Sequence, residues 1–440
     1  MPQPATAPAQ KRRQKPQAPK NPQQKTKKKG LLTGLVNFGQ VDIPMLTILL
    51  LLLMFGLVML FSASYPSGLL RFGNSYDYIG DQLRFAFIGL AGMVAASLVD
   101  YRILRKFAWP LAVVSLVLLV VVLFISDKNN AHRWIWLNSA RTRGFQPSEI
   151  AKLAVILVFA KMITANQSRI KTFKYGFMPL VAVLGVFCLL IVVEPHVSCT
   201  LLVLGIGLSM MLAGGVQWRW FALGAVTVGV VAYLLATRFQ SLLPEYVMNR
   251  IEIWQDPFNA KNSYQTIQGL IAVGSGGLTG RGIGQSVQKF LYLPEVYNDY
   301  IYAVVCEELG MVGGVAVMLL FLALLGRGIF IALRAKDKFG SMLVIGITVQ
   351  ISLQAFLHIA VNLNAIPATG ISLPFFSYGG TSLCMLLGQM GIVLSVSRKA
   401  NLSIRRKNQT PEPGDVGAAE AASALSAGAE APAESRREVG

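Results

Sequence analysis

The chain has 440 residues, of which 54% are apolar and 14% charged, and its formal net charge is +19. An ordinary soluble domain could not hide that much apolar surface, and recurring apolar runs of about 18 residues or more mark membrane helices. The positive excess does not point to nucleic acid: much of it lies in one stretch, Lys11–Lys29, that holds no acidic residue and leads into no recognition fold.

Residues 1–40 read as a basic, Pro- and Gln-rich tail, expected to be disordered, to stay in the cytoplasm and to touch anionic head groups. No cleavable signal peptide is expected, because the first apolar stretch begins near Val41, behind that tail, and is long enough to span. Residues 41–398 then offer ten spans. The first seven lie near Val41–Ser62, Leu83–Val99, Phe107–Ile125, Ser148–Ile163, Phe177–Val193, Val197–Gly214 and Trp218–Ala236. After a long loop come Asp299–Leu333, Met342–Asn362 and Phe375–Val396. The eighth is longer than a bilayer requires and is expected to tilt or to project beyond it.

Charge tests the count. Alternate connections carry Arg102, Arg105 and Lys106; then Lys161, Arg169, Lys171 and Lys174; then Arg219; then Arg327, Arg334, Lys336 and Lys338. The segment 399–440 begins basic, with Arg398 just before it, and turns Ala-, Glu- and Pro-rich, a second tail expected to be disordered. With these segments inside, both termini are cytoplasmic and an even number of spans follows. The fold class expected is an all-α polytopic membrane protein with a large extracytoplasmic loop, 238–298, between the seventh and eighth spans.

That loop runs to about 60 residues, and long ordered loops are usually functional. Within it, Val247, Ile251 and Trp254 follow the spacing of an amphipathic helix lying on a membrane surface. Ser263–Val273 is too short to span and reads as a re-entrant or interfacial half-helix, stopped by Gly274, Gly276 and Gly277. The run Gly274–Gly284 matches neither a Walker loop nor a dinucleotide fingerprint. It is either a flexible turn or a nest of backbone amides for an anion, assisted by Arg281 and Lys289.

The three histidines, His132, His196 and His358, lack zinc spacing, and the four cysteines read as packing residues. No Ser-His-Asp or Cys-His set is visible, so a hydrolase with an activated nucleophile is poorly supported. Carboxylates are more telling, since charges inside a bilayer are costly and usually line a cavity or pathway. Glu149 and Lys152 sit just inside the fourth span, Glu194 ends the fifth, and Asp299 opens the eighth, ahead of Glu307 and Glu308. On one straight helix Glu307 would lie roughly 80° from Asp299 and Glu308 nearly opposite, so the three could not all face one cavity. Taken alone, Asp299 is as well read as a helix N-cap, and Glu307 or Glu308 as a structural acid paired with a buried base or amide.

Four segments carry a resemblance. They are Arg133–Leu137 (RWIWL) followed by Gln146–Leu153 (QPSEIAKL); Arg250–Ser286; Leu293–Gly310 (LPEVYNDYIYAVVCEELG); and Asn362–Ser382 (NLNAIPATGISLPFFSYGGTS). Together they are similar, in order and spacing, to the SEDS family of peptidoglycan glycosyltransferases (FtsW, RodA, SpoVE), and more to its division and sporulation branch. The resemblance implies a ten-span enzyme that polymerises lipid II into glycan strands on the outer face, the strand being carried on undecaprenyl diphosphate. It also implies a class B penicillin-binding protein as partner, with other divisome proteins a further expectation. By motif, Asp299 takes the position of the essential acid. Arg133, Glu149, Lys152, Gln265, Gln268, Arg281, Lys289, Glu307 and Glu308 take positions that line or support the substrate cavity. Diphosphate chemistry admits a divalent cation, Mg²⁺ or Mn²⁺, and the metal ligands stay unknown. The chain departs from the family at His196, commonly Asp; at Asn298, often Thr; and at Arg281, commonly Lys. A lipid II flippase or other transporter, or a non-catalytic scaffold for a synthase, remains the alternative.

Overall fold

The computed structural model describes residues 40–125, 135–136, 144–194, 196–237 and 245–409. The N-terminal tail, most of the C-terminal tail, Arg133 and His132 fall outside them. The architecture is helical apart from a two-residue antiparallel ladder, Ile135–Trp136 against Gly144–Phe145.

Eight helices among the described residues are long and apolar enough to cross a membrane. They are α1 (Ile43–Phe72), α2 (Asp77–Leu98), α3 (Leu104–Leu123), α5 (Met178–Val193), α6 (Val197–Gly214), α10 (Ile301–Leu333), α11 (Lys338–Asn362) and α12 (Gly380–Gln409). Two more coincide with the other expected spans: α4 (Pro147–Ala165) and α7 (Trp218–Thr237). Large apolar side chains such as Met54, Phe87, Val113, Leu189 and Leu319 are exposed along these helices, as lipid contact requires and water would not tolerate. The protein is a multi-pass membrane protein.

Helix α4 is the centre. It carries Glu149, Lys152 and Lys161, too charged for a lipid-facing span, yet it is buried around most of its circumference. Helices α3, α5, α6, α11 and α12 pack on it, so its charges meet protein rather than acyl chains. Outside this core α12 lies along α2, and α10 lies between α1 and α11.

Several boundaries differ from the sequence expectation, each for a local reason. Helix α1 runs ten residues past Ser62 because Ser62, Ser64, Ser67 and Gly68 are buried against neighbouring segments, small polar residues that a hydropathy window discounts. It ends at Gly73, whose φ of 69° is the left-handed cap glycine favours. Helix α12 begins only at Gly380, because Phe375–Gly379 belongs to an irregular loop. It also runs on to Gln409 rather than stopping near Val396.

Both helices expected in the long loop are present, as α8 (Glu245–Gln255) and α9 (Tyr264–Ser275). The Gly-rich run that follows α9 is not a free turn. Helix α10 is broken at Gly310 (φ 67°), and residues 277–282 lie against the break. The amides of Arg281 and Gly282 donate to the carbonyls of Glu307 and Glu308, and those of Met311 and Val312 donate to Gly277 and Leu278. A Cβ on Gly280 would stand 2.2 Å from the Glu308 carbonyl oxygen, and one on Gly276 1.9 Å from that of Cys306. Glycine is needed there for backbone to meet backbone. The two segments satisfy each other's polar groups, which is the condition for irregular backbone in a membrane protein.

Candidate active site

Asp299 lies in a turn just before α10, half-buried. The N-cap of α10 is Tyr300, so Asp299 does not hold the capping position. The cap is supplied from another helix. Asn362, at the end of α11 and buried, accepts from the Ala303 amide (3.1 Å) and donates to the Asp299 carbonyl (3.0 Å) and the His358 carbonyl (2.9 Å). The first two bonds fix the backbone that carries the acid, and the third holds the Asn362 side chain against its own helix.

A second loop, 363–379, closes over the same turn. Tyr378 donates its amide to the Tyr297 carbonyl (3.0 Å), and Ser377 its hydroxyl to the Asn298 carbonyl (2.6 Å). Gly370, with φ of 64°, faces the carboxylate: a Cβ there would be 3.6 Å from Asp299 Oδ2. Leu291, Glu295, Asn364 and Phe375 are non-glycine residues with positive φ, and all four lie in the segments that meet at Asp299. Strain of this kind costs about 1–3 kcal/mol per residue and gathers at functional sites. Helix α8 is tied to the loop by Trp254, which donates to the Asn364 carbonyl (3.1 Å) while Asn364 donates to the Trp254 carbonyl (3.2 Å).

Helix α9 covers the other side. Gly269 meets the Tyr300 ring, where a Cβ would come within 2.5 Å of it, and Gln265 donates to the Pro294 carbonyl (3.2 Å). Gln265 and Gln268, three apart on α9, are half-buried on this side of the site. Burial raises the Tyr300 phenol above its usual range; a bond with Thr266 offsets this in part, and the Asp299 charge adds to it. Burial, and then the bond with Tyr78, raises Tyr297 likewise. Both phenols stay neutral at physiological pH.

Glu307 and Glu308 are elsewhere, and fully buried. Glu308 accepts from Ser62 Oγ (2.7 Å), the Gly284 amide (2.9 Å), the Ser286 amide (3.3 Å) and Lys289 Nζ (2.9 Å). Glu307 accepts from Ser286 Oγ (2.5 Å) and the Val287 amide (2.9 Å), with Arg281 at 3.7 Å. Of the two readings of the glycine-rich loop, the nest has a counterpart at residues 284–288, whose amides hold the chain's own carboxylates. Lys289 is 3% exposed and engaged with Glu308, Ser62 and the Gly284 carbonyl. These three residues support the loop and do not open onto a cavity. Arg281, 41% exposed at its side chain, does reach the surface.

A third group lies inside the bundle. Lys152 pairs with Glu149 (2.8 Å) and donates to Gln354 Oε1 (3.2 Å), while Gln354 donates to the Ser372 carbonyl (3.0 Å). Cys199 of α6 lies beside the charges of Lys152, Glu149 and Glu194. His358 Nδ1 meets the Ile371 carbonyl at 2.6 Å. Residues 370–372 thus touch Asp299 on one side and the partners of Lys152 on the other.

Asp299, with the segments that hold it, falls inside a stretch, residues 43–402, that matches the model of the cell cycle protein family FtsW/RodA/SpoVE. The chain belongs to this family. It is 36% identical over 367 residues to the probable peptidoglycan glycosyltransferase FtsW of Geobacter sp. (strain M18), covering 81% of this chain and 97% of that one. It is 38% identical over 362 residues to the stage V sporulation protein E of Bacillus subtilis (strain 168), with the same coverage. Among solved structures, the fold is similar to a chain from a peptidoglycan synthase complex that coordinates polymerization and crosslinking (TM-score 0.67, 24% identity, 82% of this chain and 98% of that one). It is also similar to the rod shape determining protein RodA of Thermus thermophilus (TM-score 0.60, 23% identity, 82% and 97%). Within the family motifs, Asn362, Gly370 and Ser377 are the residues that sequence reasoning passed over. They lie in the Asn362–Ser382 segment, whose motif character was visible but whose neutral residues gave no chemical signal.

Proposed function

We propose that this family member is a peptidoglycan glycosyltransferase that polymerises lipid II on the outer face of the cytoplasmic membrane, with Asp299 as general base. The observation that carries the reading is the placement of Asp299: a half-buried carboxylate at the seam of two loops, its backbone fixed by Asn362 and its Oδ2 facing Gly370. The positive-inside pattern puts that end outside and both termini in the cytoplasm.

The acceptor's sugar hydroxyl attacks the anomeric carbon of the strand carried on undecaprenyl diphosphate. Asp299 takes the hydroxyl proton as the new bond forms, a role worth about 10²–10⁴-fold. The bond to the diphosphate breaks, and the leaving group departs with the electron pair. Displacement in one step turns an α-linked donor into a β-linked product without a covalent enzyme intermediate. Arg281, exposed in the long loop, supplies positive charge for the diphosphate, and its planar fork suits phosphate. Among the described residues no three His, Cys, Asp or Glu side chains cluster as a metal site. A divalent cation would fit as an ion carried by the substrate diphosphate, where it would neutralise developing charge. The Glu149–Lys152 pair, linked through Gln354 to residues 370–372, holds the loop that faces Asp299. A class B penicillin-binding protein is the partner that would crosslink the product in division or sporulation.

The test is polymerisation of purified lipid II by the wild-type chain and by Asp299→Asn across a divalent-metal titration, with folding checked separately. Loss of turnover at every metal concentration supports the base; recovery at high metal would make Asp299 a metal ligand. Near-wild-type turnover by the folded variant would exclude the base role and turn attention to Glu149 or Glu194, whereas no polymerisation by the wild-type chain would favour the transporter and scaffold readings.

A further inference from the structure

The opposite end of the bundle carries a second constructed site. Asp42 caps α1 by accepting from the Met45 amide (3.0 Å), and its amide donates to Ser397 of α12 (3.2 Å). Arg327 of α10 grips the same carboxylate with two bonds, Nε and Nη2, each of 2.8 Å. One turn further along α10, Phe330 carries two guanidinium groups near its ring, Arg334 at 3.9 Å from the centroid and Arg327 at 4.3 Å. Between these ends lies a cavity of about 220 Å³, walled by Val41, Ile43, Pro44 and Ile331 and lined by Arg327 and Arg334.

The charges in and around this cavity do not balance. Asp42 is taken by Arg327, Asp337 by Arg102, and Asp100 by Lys399. Arg334 has no acidic partner among the described residues, and Lys336 beside it has none either. The ring of Phe330 and the carbonyl end of α10 hold the Arg334 guanidinium in place without neutralising it. Arg327 still has Nη1 outside its grip on Asp42. The cavity therefore offers oriented guanidinium donors, a net positive charge and an apolar wall, at the level where three membrane helices end.

We propose that this cavity binds the phosphodiester headgroup of an anionic phospholipid, with Arg334 on the phosphate and the apolar wall against the glycerol and upper acyl chain. The volume holds a headgroup and leaves the tails in the bilayer. Arginine is the residue suited to phosphate recognition, and cationic pockets between helices on the cytoplasmic side are where such lipids are held.

The experiment is native mass spectrometry of the delipidated full-length protein titrated with dioleoylphosphatidylglycerol, dioleoylphosphatidylcholine or inorganic phosphate. Phosphatidylglycerol should give one adduct tighter than the rest, and Arg334→Gln should weaken it by about 10-fold or more, the scale of a charge-assisted bond. Lys336→Gln, an equal change of charge outside the cavity, should leave that adduct unchanged. Arg334 is exposed at a helix end, so the melting temperature should hold in both variants. Phosphatidylcholine, whose choline cation cancels the phosphate charge, should bind more weakly than phosphatidylglycerol, and equal binding would overturn the proposal. The proposal is overturned if Arg334→Gln leaves the first phosphatidylglycerol adduct as tight as before, or if Lys336→Gln weakens it equally, which would mean diffuse attraction. It is also overturned if inorganic phosphate competes at the lipid's own concentration, which would make the site one for a free anion.

Discussion

Asp299 and the pair Glu307–Glu308 stand within ten residues of one another in a single motif, yet the structure sets them in different surroundings. The two glutamates are fully buried and held by amides, hydroxyls and a lysine. They fasten the glycine-rich loop to the broken helix α10. Asp299 is half-buried, lies outside the helix and faces a glycine. The glutamates' lone pairs are filled by the loop they anchor, whereas Asp299 is brought to the seam between two loops. Nearness in a motif does not decide which is which; the break at Gly310 and the non-helical turn at 297–299 do.

The sharpest way to test this contrast is to neutralise each acid in turn. Asp299→Asn should lower turnover by about 10²–10⁴-fold while leaving the melting temperature close to wild type. Near-normal rates would break the contrast from one side. Asn362→Ala should come next, because it removes the two bonds that place the Asp299 backbone. A misplacement of about 1 Å can cost 10²-fold, so kcat should fall by up to that factor with KM little changed. A change confined to KM would mean that Asn362 acts on substrate rather than on the acid's position.

Glu308→Gln should behave in the reverse manner. It leaves Lys289 charged and buried without its counter-ion, a loss of about 3–5 kcal/mol, visible as a lowered melting temperature in detergent. The molecules that remain folded should polymerise lipid II within a few-fold of wild type. Replacing Lys289 by Met in the same chain should recover part of the lost stability. A fully stable but inactive Glu308→Gln would place that acid in the chemistry. The smallest effect is expected from Arg281→Gln. Its contact with Glu307 is long and half-exposed, worth about 0–1 kcal/mol, so stability should hardly move. The rate at subsaturating lipid II should fall several-fold, and an unchanged rate there would remove Arg281 from the diphosphate.

The fold was largely legible from the sequence because hydropathy and basic connections act over whole helices. Helices α5, α6 and α7 begin and end within a residue of their expected limits, since each is an apolar run cut off by polar or glycine residues. Ends made of small polar residues were not legible. In the Ser62–Gly68 stretch that continues α1, Ser62 meets Glu308 and Lys289, partners that come from another part of the chain. The site shows the same limit. Asp299 could be singled out as an acid next to a long loop. Asn362, Gly370 and Ser377 carry no charge, and their importance lies in carbonyls and clearances that exist only after folding. The glycine-rich run was open to two readings, a turn or an anion nest; a nest is present just beyond it, but it is filled from within.

The bonds between residues 277–282 and 307–312 also set an order in time. These partners are about 30 residues apart, so they can meet while the remainder of the chain is still being made. The loop and the first half of α10 then exist as a finished piece before Asn362, Gly370 and Ser377 leave the ribosome. Only when α11 has entered the membrane and the 363–379 loop has followed it is Asp299 fixed in place. A chain halted after α10 would carry the acid and its anchored loop but no active site, so polymerase activity is a property acquired with the last two helices.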